Sequence, residues 1–118
     1  MRLDELRGIV VDALEELKAV DVKVIDLRGI AGFTDLMIIA SGNSDRQVQA
    51  LAGKVLEKCR MVGVRPLGVE GERGGDWILV DLGDIVLHVM RPETRDYYNL
   101  EKLWALEERR QDRTTARA

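Results

Sequence analysis

The stretch Trp77-Ile78-Leu79-Val80-Asp81-Leu82-Gly83-Asp84-Ile85-Val86-Leu87-His88-Val89-Met90 decides the fold, because two apolar runs of strand length flank a Gly-Asp step. Glycine accepts the positive φ that a two-residue II′ turn requires, so this pattern predicts a β-hairpin. With Gly83 and Asp84 as the loop, Leu82 opposes Ile85, Asp81 opposes Val86, Leu79 opposes His88 and Trp77 opposes Met90. Opposed residues share a face of the sheet, as do residues two apart on one strand. Trp77, Leu79, Asp81, Val86, His88 and Met90 therefore lie on one side, and Ile78, Val80, Leu82, Ile85, Leu87 and Val89 on the other. The second side is wholly aliphatic and must face a core. The first carries an indole, a carboxylate and an imidazole, which need partners wherever they are buried.

Two readings of that mixed face stand side by side. In the inward one, His88 is hydrogen-bonded within the fold, Asp81 caps the hairpin or a loop, and Trp77 packs under the last helix. In the outward one, the face is partly open and receives another protein, because tryptophan anchors commonly dominate the binding energy of interfaces.

Upstream of the hairpin, Leu3, Leu6, Ile9, Val10, Ala13, Leu14 and Leu17 recur at helical spacing, which predicts an amphipathic helix from Leu3 towards Val20. Val22 to Leu27 alternates as a first strand, and Gly29 and Gly32 punctuate the loop after it. Leu36-Met37-Ile38-Ile39-Ala40 does not alternate, which predicts a central strand covered on both faces. Ser44 and Gln47 form a capping box, in which each side chain can reach the other residue's backbone N–H. Behind it, Val48, Leu51, Ala52, Val55, Leu56 and Cys59 form the buried stripe of a second helix that Gly63 can end. Pro66 to Glu70 reads as a short edge strand.

Downstream, after Pro92 and Thr94, Tyr97, Leu100, Leu103, Trp104 and Leu106 predict one third helix that frays beyond Arg110. Helices interleaved with strands, then a hairpin and a final helix, imply an α/β fold: a single domain over residues 1–110, its mixed sheet flanked by α-helices. Gln111 to Ala118 is polar and is expected to be a disordered tail.

The 118 residues suit one domain. Hydrophobic residues make up 46% and charged residues 33%, a globular balance with no run long enough to span a membrane. Met1-Arg2-Leu3-Asp4-Glu5 enters an acidic amphipathic pattern directly, so a cytoplasmic location is expected. One cysteine and one histidine leave no disulfide within the chain and no Cys/His zinc site built from it. A formal net charge of -3 argues against coating of nucleic-acid backbone and against direct sequence-specific nucleic-acid binding, and suits a basic protein partner better.

Catalytic motifs are scarce. Ser41-Gly42-Asn43-Ser44 before a helix resembles a phosphate cradle but is also a turn and cap. Asp81 and Asp84 fall on a strand and in a turn, a weak metal pair, and no Walker or dinucleotide glycine pattern occurs. The expectation is a binding protein with no catalytic residues, no metal and no cofactor. A nucleotidyltransferase-like enzyme is the alternative, although it would want paired strand carboxylates to hold metal ions.

A family resemblance adds to this reading. Thr34-Asp35 before the strand from Leu36, Ser41-Gly42-x-Ser44-x-Arg46 after it, Glu70-Gly71 followed by Trp77, Asp81-x-Gly83-Asp84, Val86-x-His88-Val89 and Arg95-Asp96-Tyr97-Tyr98-x-Leu100-Glu101-x-Leu103-Trp104 together resemble the ribosomal silencing factor family, RsfS or Iojap. The pattern departs at Leu36-Met37, where the family usually carries aromatic residues. The resemblance implies a mixed sheet related to nucleotidyltransferases but without established catalysis. It implies binding to the large ribosomal subunit through its ribosomal protein number fourteen, steric blocking of small-subunit joining, repression of translation when nutrients are scarce, and homodimers. It also implies that Trp77, Asp81, His88, Arg95, Tyr98, Glu101 and Trp104 serve partner recognition or support it. For Leu100 and Trp104 the shared helical stripe favours packing against the sheet.

Overall fold

The computed structural model describes residues 1–30 and 32–104. Among them the alternating helix and strand patterns become α1 (Leu3–Glu16), β1 (Val20–Asp26), β2 (Leu36–Ser41), α2 (Asp45–Met61), β3 (Gly68–Glu70), β4 (Trp77–Asp81), β5 (Ile85–Met90) and α3 (Pro92–Tyr98). The strands form one sheet in the order β1-β2-β5-β4-β3. β2 and β5 pair in parallel, and every other neighbouring pair is antiparallel. This is the single α/β domain with a mixed sheet that the sequence predicts.

The hairpin register is the predicted one, with Trp77 opposite Met90, Leu79 opposite His88 and Asp81 opposite Val86. Gly83 takes φ 87°, and Leu82 N donates to Ile85 O at 2.8 Å across the two-residue loop. The turn also ties into the sheet, because Asp84 O accepts from the backbone N–H groups of Asp35 and Leu36.

All six residues of β2 are buried, as its unbroken apolar run requires. Leu36, Ile38 and Ala40 join the main core with Ile78, Val80, Leu87 and Val89, beneath Leu6, Val10 and Leu14 of α1 and Val48, Leu51, Val55 and Cys59 of α2. Met37 and Ile39 point the other way, into a smaller cluster with Leu27 and Met90 that Trp77, Leu100 and Trp104 partly cover. Each fully buried aliphatic side chain contributes about 1.5–3 kcal/mol, so the two clusters together hold the sheet from both faces. The capping box is present: Ser44 Oγ accepts from Gln47 N at 3.1 Å, and Gln47 Oε1 accepts from Asn43 N at 2.7 Å, one residue before the cap itself.

Four boundaries differ from the sequence reading. Helix α1 stops at Glu16 rather than near Val20, because Lys18 turns the chain with φ 58° and Val20 already pairs with Ser41 in the sheet. Strand β1 accordingly starts two residues early, and a bulge between Val20 and Lys23 absorbs the register shift, with Asp21 at φ 51°. Pro66 precedes β3, which occupies the far edge of the sheet, rather than opening it. The third helix is not continuous. It breaks at Asn99, which adopts a left-handed φ of 48°, and helical backbone resumes over 100–104 with Asn99 Oδ1 accepting from Lys102 N. The expected fraying beyond Arg110 and the tail at 111–118 lie outside the described residues.

Candidate functional site

The hairpin's mixed face is built by period-2 geometry, and its centre is buried. Met90 and His88 are closed off, whereas Trp77, Leu79 and Asp81 are half-buried. The indole Nε1–H of Trp77 donates to Nδ1 of His88 at 2.9 Å. Since an indole nitrogen only donates, His88 must accept at Nδ1 and carry its proton on Nε2. Burial pushes the imidazole down to a pKa of about 4, so it is neutral at physiological pH. Asp81 Oδ1 accepts from Gly83 N at 2.9 Å and so caps the turn that sets the register. The inward reading therefore describes His88 and Asp81.

Trp77 also faces outward. Its ring meets Tyr98 with centroids 4.8 Å apart, and Tyr98 meets Tyr97 edge-on at 5.1 Å. Tyr97 is 83% exposed and Tyr98 54% exposed. Trp104 is half-buried over the smaller cluster and stands 6.2 Å from the ring of Phe33, itself well exposed. An aromatic surface thus lies on the side of the sheet opposite α1 and α2. Tyr97 and Leu103, counted by the sequence pattern among the apolar positions of one third helix, are exposed, and that helix is broken at Asn99. Leu100 and Trp104 do pack against the sheet.

Arg95 is buried rather than offered to solvent. Its Nη1 donates to Ser41 Oγ at 2.9 Å, its Nε donates to Glu101 Oε1 at 2.6 Å, and its Nη2 lies 3.6 Å from Asp21 Oδ2. Glu101 is also 3.7 Å from Lys23 Nζ. Around this network is an open pocket of about 380 Å³, lined by residues that include Asp21, Ser41, Asp96, Asn99 and Glu101. Thus Trp77, His88 and Tyr98 are brought together, Arg95 and Glu101 form a second group beside them, Asp81 sits at the turn, and Trp104 pairs with Phe33.

Sequence reading missed Phe33, Tyr97 as an exposed group, and the Ser41 and Asp21 partners of Arg95. Only Phe33 had a local signal, an aromatic residue beside glycine in a loop. Among the described residues, no group of three or more His, Cys, Asp or Glu side chains converges to hold a metal ion. No described helix is long and apolar enough to cross a membrane. The chemistry this face offers is aromatic contact bordered by fixed hydrogen bonds.

Comparison with known proteins gives a consistent result. A family model described as ribosomal silencing factor during starvation matches residues 1–118. Ribosomal silencing factor RsfS of Chromobacterium violaceum is 43% identical over 104 residues, covering 88% of this chain and 85% of that protein. A crystal structure of a Chromobacterium violaceum protein superposes with a TM-score of 0.87 at 43% identity, covering 89% of this chain and 88% of the other. A mouse protein, mitochondrial assembly of ribosomal large subunit protein 1, is 36% identical over 101 residues, which cover 83% of this chain and 44% of that longer protein.

Proposed function

The chain belongs to the ribosomal silencing factor family, and on that premise we propose that it binds the large ribosomal subunit through ribosomal protein number fourteen. By occupying that surface it keeps the small subunit from joining and represses translation when nutrients are scarce. The mechanism is steric and needs no catalytic step. The name of the mouse relative, which refers to the ribosomal large subunit, supports the choice of subunit.

The observation that carries this reading is the aromatic surface of Trp77, Tyr97 and Tyr98, with Tyr98 seated on the Trp77 ring and both tyrosines exposed. Aromatic side chains bring large contact area at low entropic cost, and a cluster already packed in place loses little freedom on binding. In this proposal Trp77, Tyr98 and Trp104 supply contact, while Asp81, His88, Arg95 and Glu101 support it. The protein acts in the cytoplasm as one domain over residues 1–110 with a polar tail at 111–118, and a homodimer is its second assembly.

Sedimentation of purified subunits with and without the protein tests the function. The expected result is a loss of joined ribosomes and co-sedimentation of the protein with large subunits. Unchanged subunit joining at saturating protein would remove the proposal.

A further inference from the structure

Helix α3 has seven residues, and the one among them that is buried is Arg95. A helix this short does not hold itself together in water and must be held by tertiary contacts. Most docked helices are held by an apolar stripe; α3 has none. Its first turn is tied by Arg91 N to Asp76 O at 2.9 Å and by Thr94 Oγ1 to Asp76 Oδ2 at 3.2 Å. Its second turn, which carries Tyr98, has the guanidinium of Arg95.

From this we infer that Arg95 and Glu101 are positioning residues, which set the aromatic surface from beneath by clamping the α3 break to the sheet. The guanidinium donates hydrogen bonds to Ser41 at the end of β2 and to Glu101 beyond the break, and its Nη2, without a hydrogen bond among the described residues, makes an ion-pair contact with Asp21 in the β1 bulge at 3.6 Å. Glu101, six residues on, meets Arg95 across the break at the left-handed Asn99; in one continuous helix, residues six apart do not share a face. The planar fork suits this task, because it presents donors on separate nitrogens in fixed directions, whereas the three donors of a lysine converge on one nitrogen that cannot span Ser41 and Glu101 in the same way. Arg95 is 7% exposed, so little of it is open to a partner. Its effect passes through Tyr98, three residues further along the helix, to the face of Trp77.

The inference rests on the proposed role of the aromatic surface, and its test separates the two. Full-length Arg95→Lys, Glu101→Ala, Glu101→Gln and Tyr98→Ala are compared for affinity to purified large subunits. In a Trp104→Phe background, which leaves Trp77 as the sole tryptophan, acrylamide quenching reads whether Tyr98 still covers the indole.

Arg95→Lys and Glu101→Ala should weaken binding about tenfold and raise quenching of Trp77. Glu101→Gln, whose amide oxygen still accepts from Arg95 Nε, should restore both. A change in melting temperature with quenching and affinity at wild-type values makes Arg95 merely structural and overturns the inference. A fall in affinity without a change in quenching makes these residues direct contacts and also overturns it. If Tyr98→Ala binds as wild type, the role of the aromatic surface is what fails, while the quenching series still decides whether the clamp exists.

Discussion

Trp77 and His88 are hydrogen-bonded diagonally across the hairpin: His88 stands opposite Leu79 and Trp77 opposite Met90, yet the indole N–H reaches His88 Nδ1 at 2.9 Å. Diagonal neighbours on one face lie within reach of long aromatic side chains. The bond consumes the indole's only donor. With its N–H engaged, the indole has only its ring left for any contact, in an orientation that His88 holds.

This pairing makes stability depend on pH. The folded imidazole has a pKa of about 4 against an ordinary value of 6.5, with burial as the cause. Between those values the unfolded chain binds a proton that the folded chain refuses, so stability is full above pH 6.5 and falls as pH drops towards 4. The loss attributable to His88 is about 3 kcal/mol. Urea unfolding at pH 7.0 and pH 4.5 should show it, and His88→Gln should flatten that part of the profile. An equal slope in the variant would assign it to other groups.

Removing the indole separates contact from support. Trp77→Ala should lower affinity for the large subunit by about 2 kcal/mol or more, as expected for an anchor. Trp77→Phe keeps a ring beside Tyr98 but leaves a buried acceptor without its donor, and should cost about 1–3 kcal/mol of stability with a smaller loss of affinity. Co-sedimentation and chemical denaturation read the two effects independently. Wild-type affinity in Trp77→Ala would exclude the indole as an anchor.

Gly71 controls where Trp77 sits. It has φ 90°, and a Cβ there would lie 2.0 Å from the Trp77 carbonyl oxygen. Because the obstacle is backbone, no side chain can move aside. Gly71→Ala should destabilise the protein by at least about 2 kcal/mol and change tryptophan emission. A melting curve within 1 °C of wild type, with about 4 °C expected per kcal/mol for a domain of this size, would contradict that.

The break after α3 makes a further prediction. Asn99 tolerates the left-handed conformation and its side chain accepts from Lys102 N at 3.2 Å. Asn99→Ala loses both advantages and should cost about 1–2 kcal/mol, whereas Asn99→Gly should cost only a few tenths. Hydrogen exchange over residues 95–104 provides the readout, and equal exchange in the two variants would refute the argument.

Much of the architecture was legible in the residues because it rests on short-range rules. The Gly83-Asp84 loop set the hairpin register, period 2 sorted its faces, and the unbroken apolar run of β2 announced burial on both sides. The candidate site was legible only in part. The Trp77, Asp81 and His88 face followed from pairing, but the aromatic surface at Tyr97 and Phe33 did not. The spacing from Tyr97 to Trp104 implies one shared face only in a continuous helix, and this one breaks at Asn99, between Tyr97 and the packed Leu100 and Trp104.

The linear pattern was enough for the hairpin, the central strand and the capping box, since each is specified by residues within about a dozen positions of one another. The packed fold settled whether polar groups on a known face turn inward, and which charge is buried. Arg95 finds Ser41 across 54 positions, and Trp77 and His88, though only 11 apart in the hairpin, bond on a diagonal that strand pairing alone does not select. Such bonds depend on distances and desolvation that arise only once the sheet and helices are assembled.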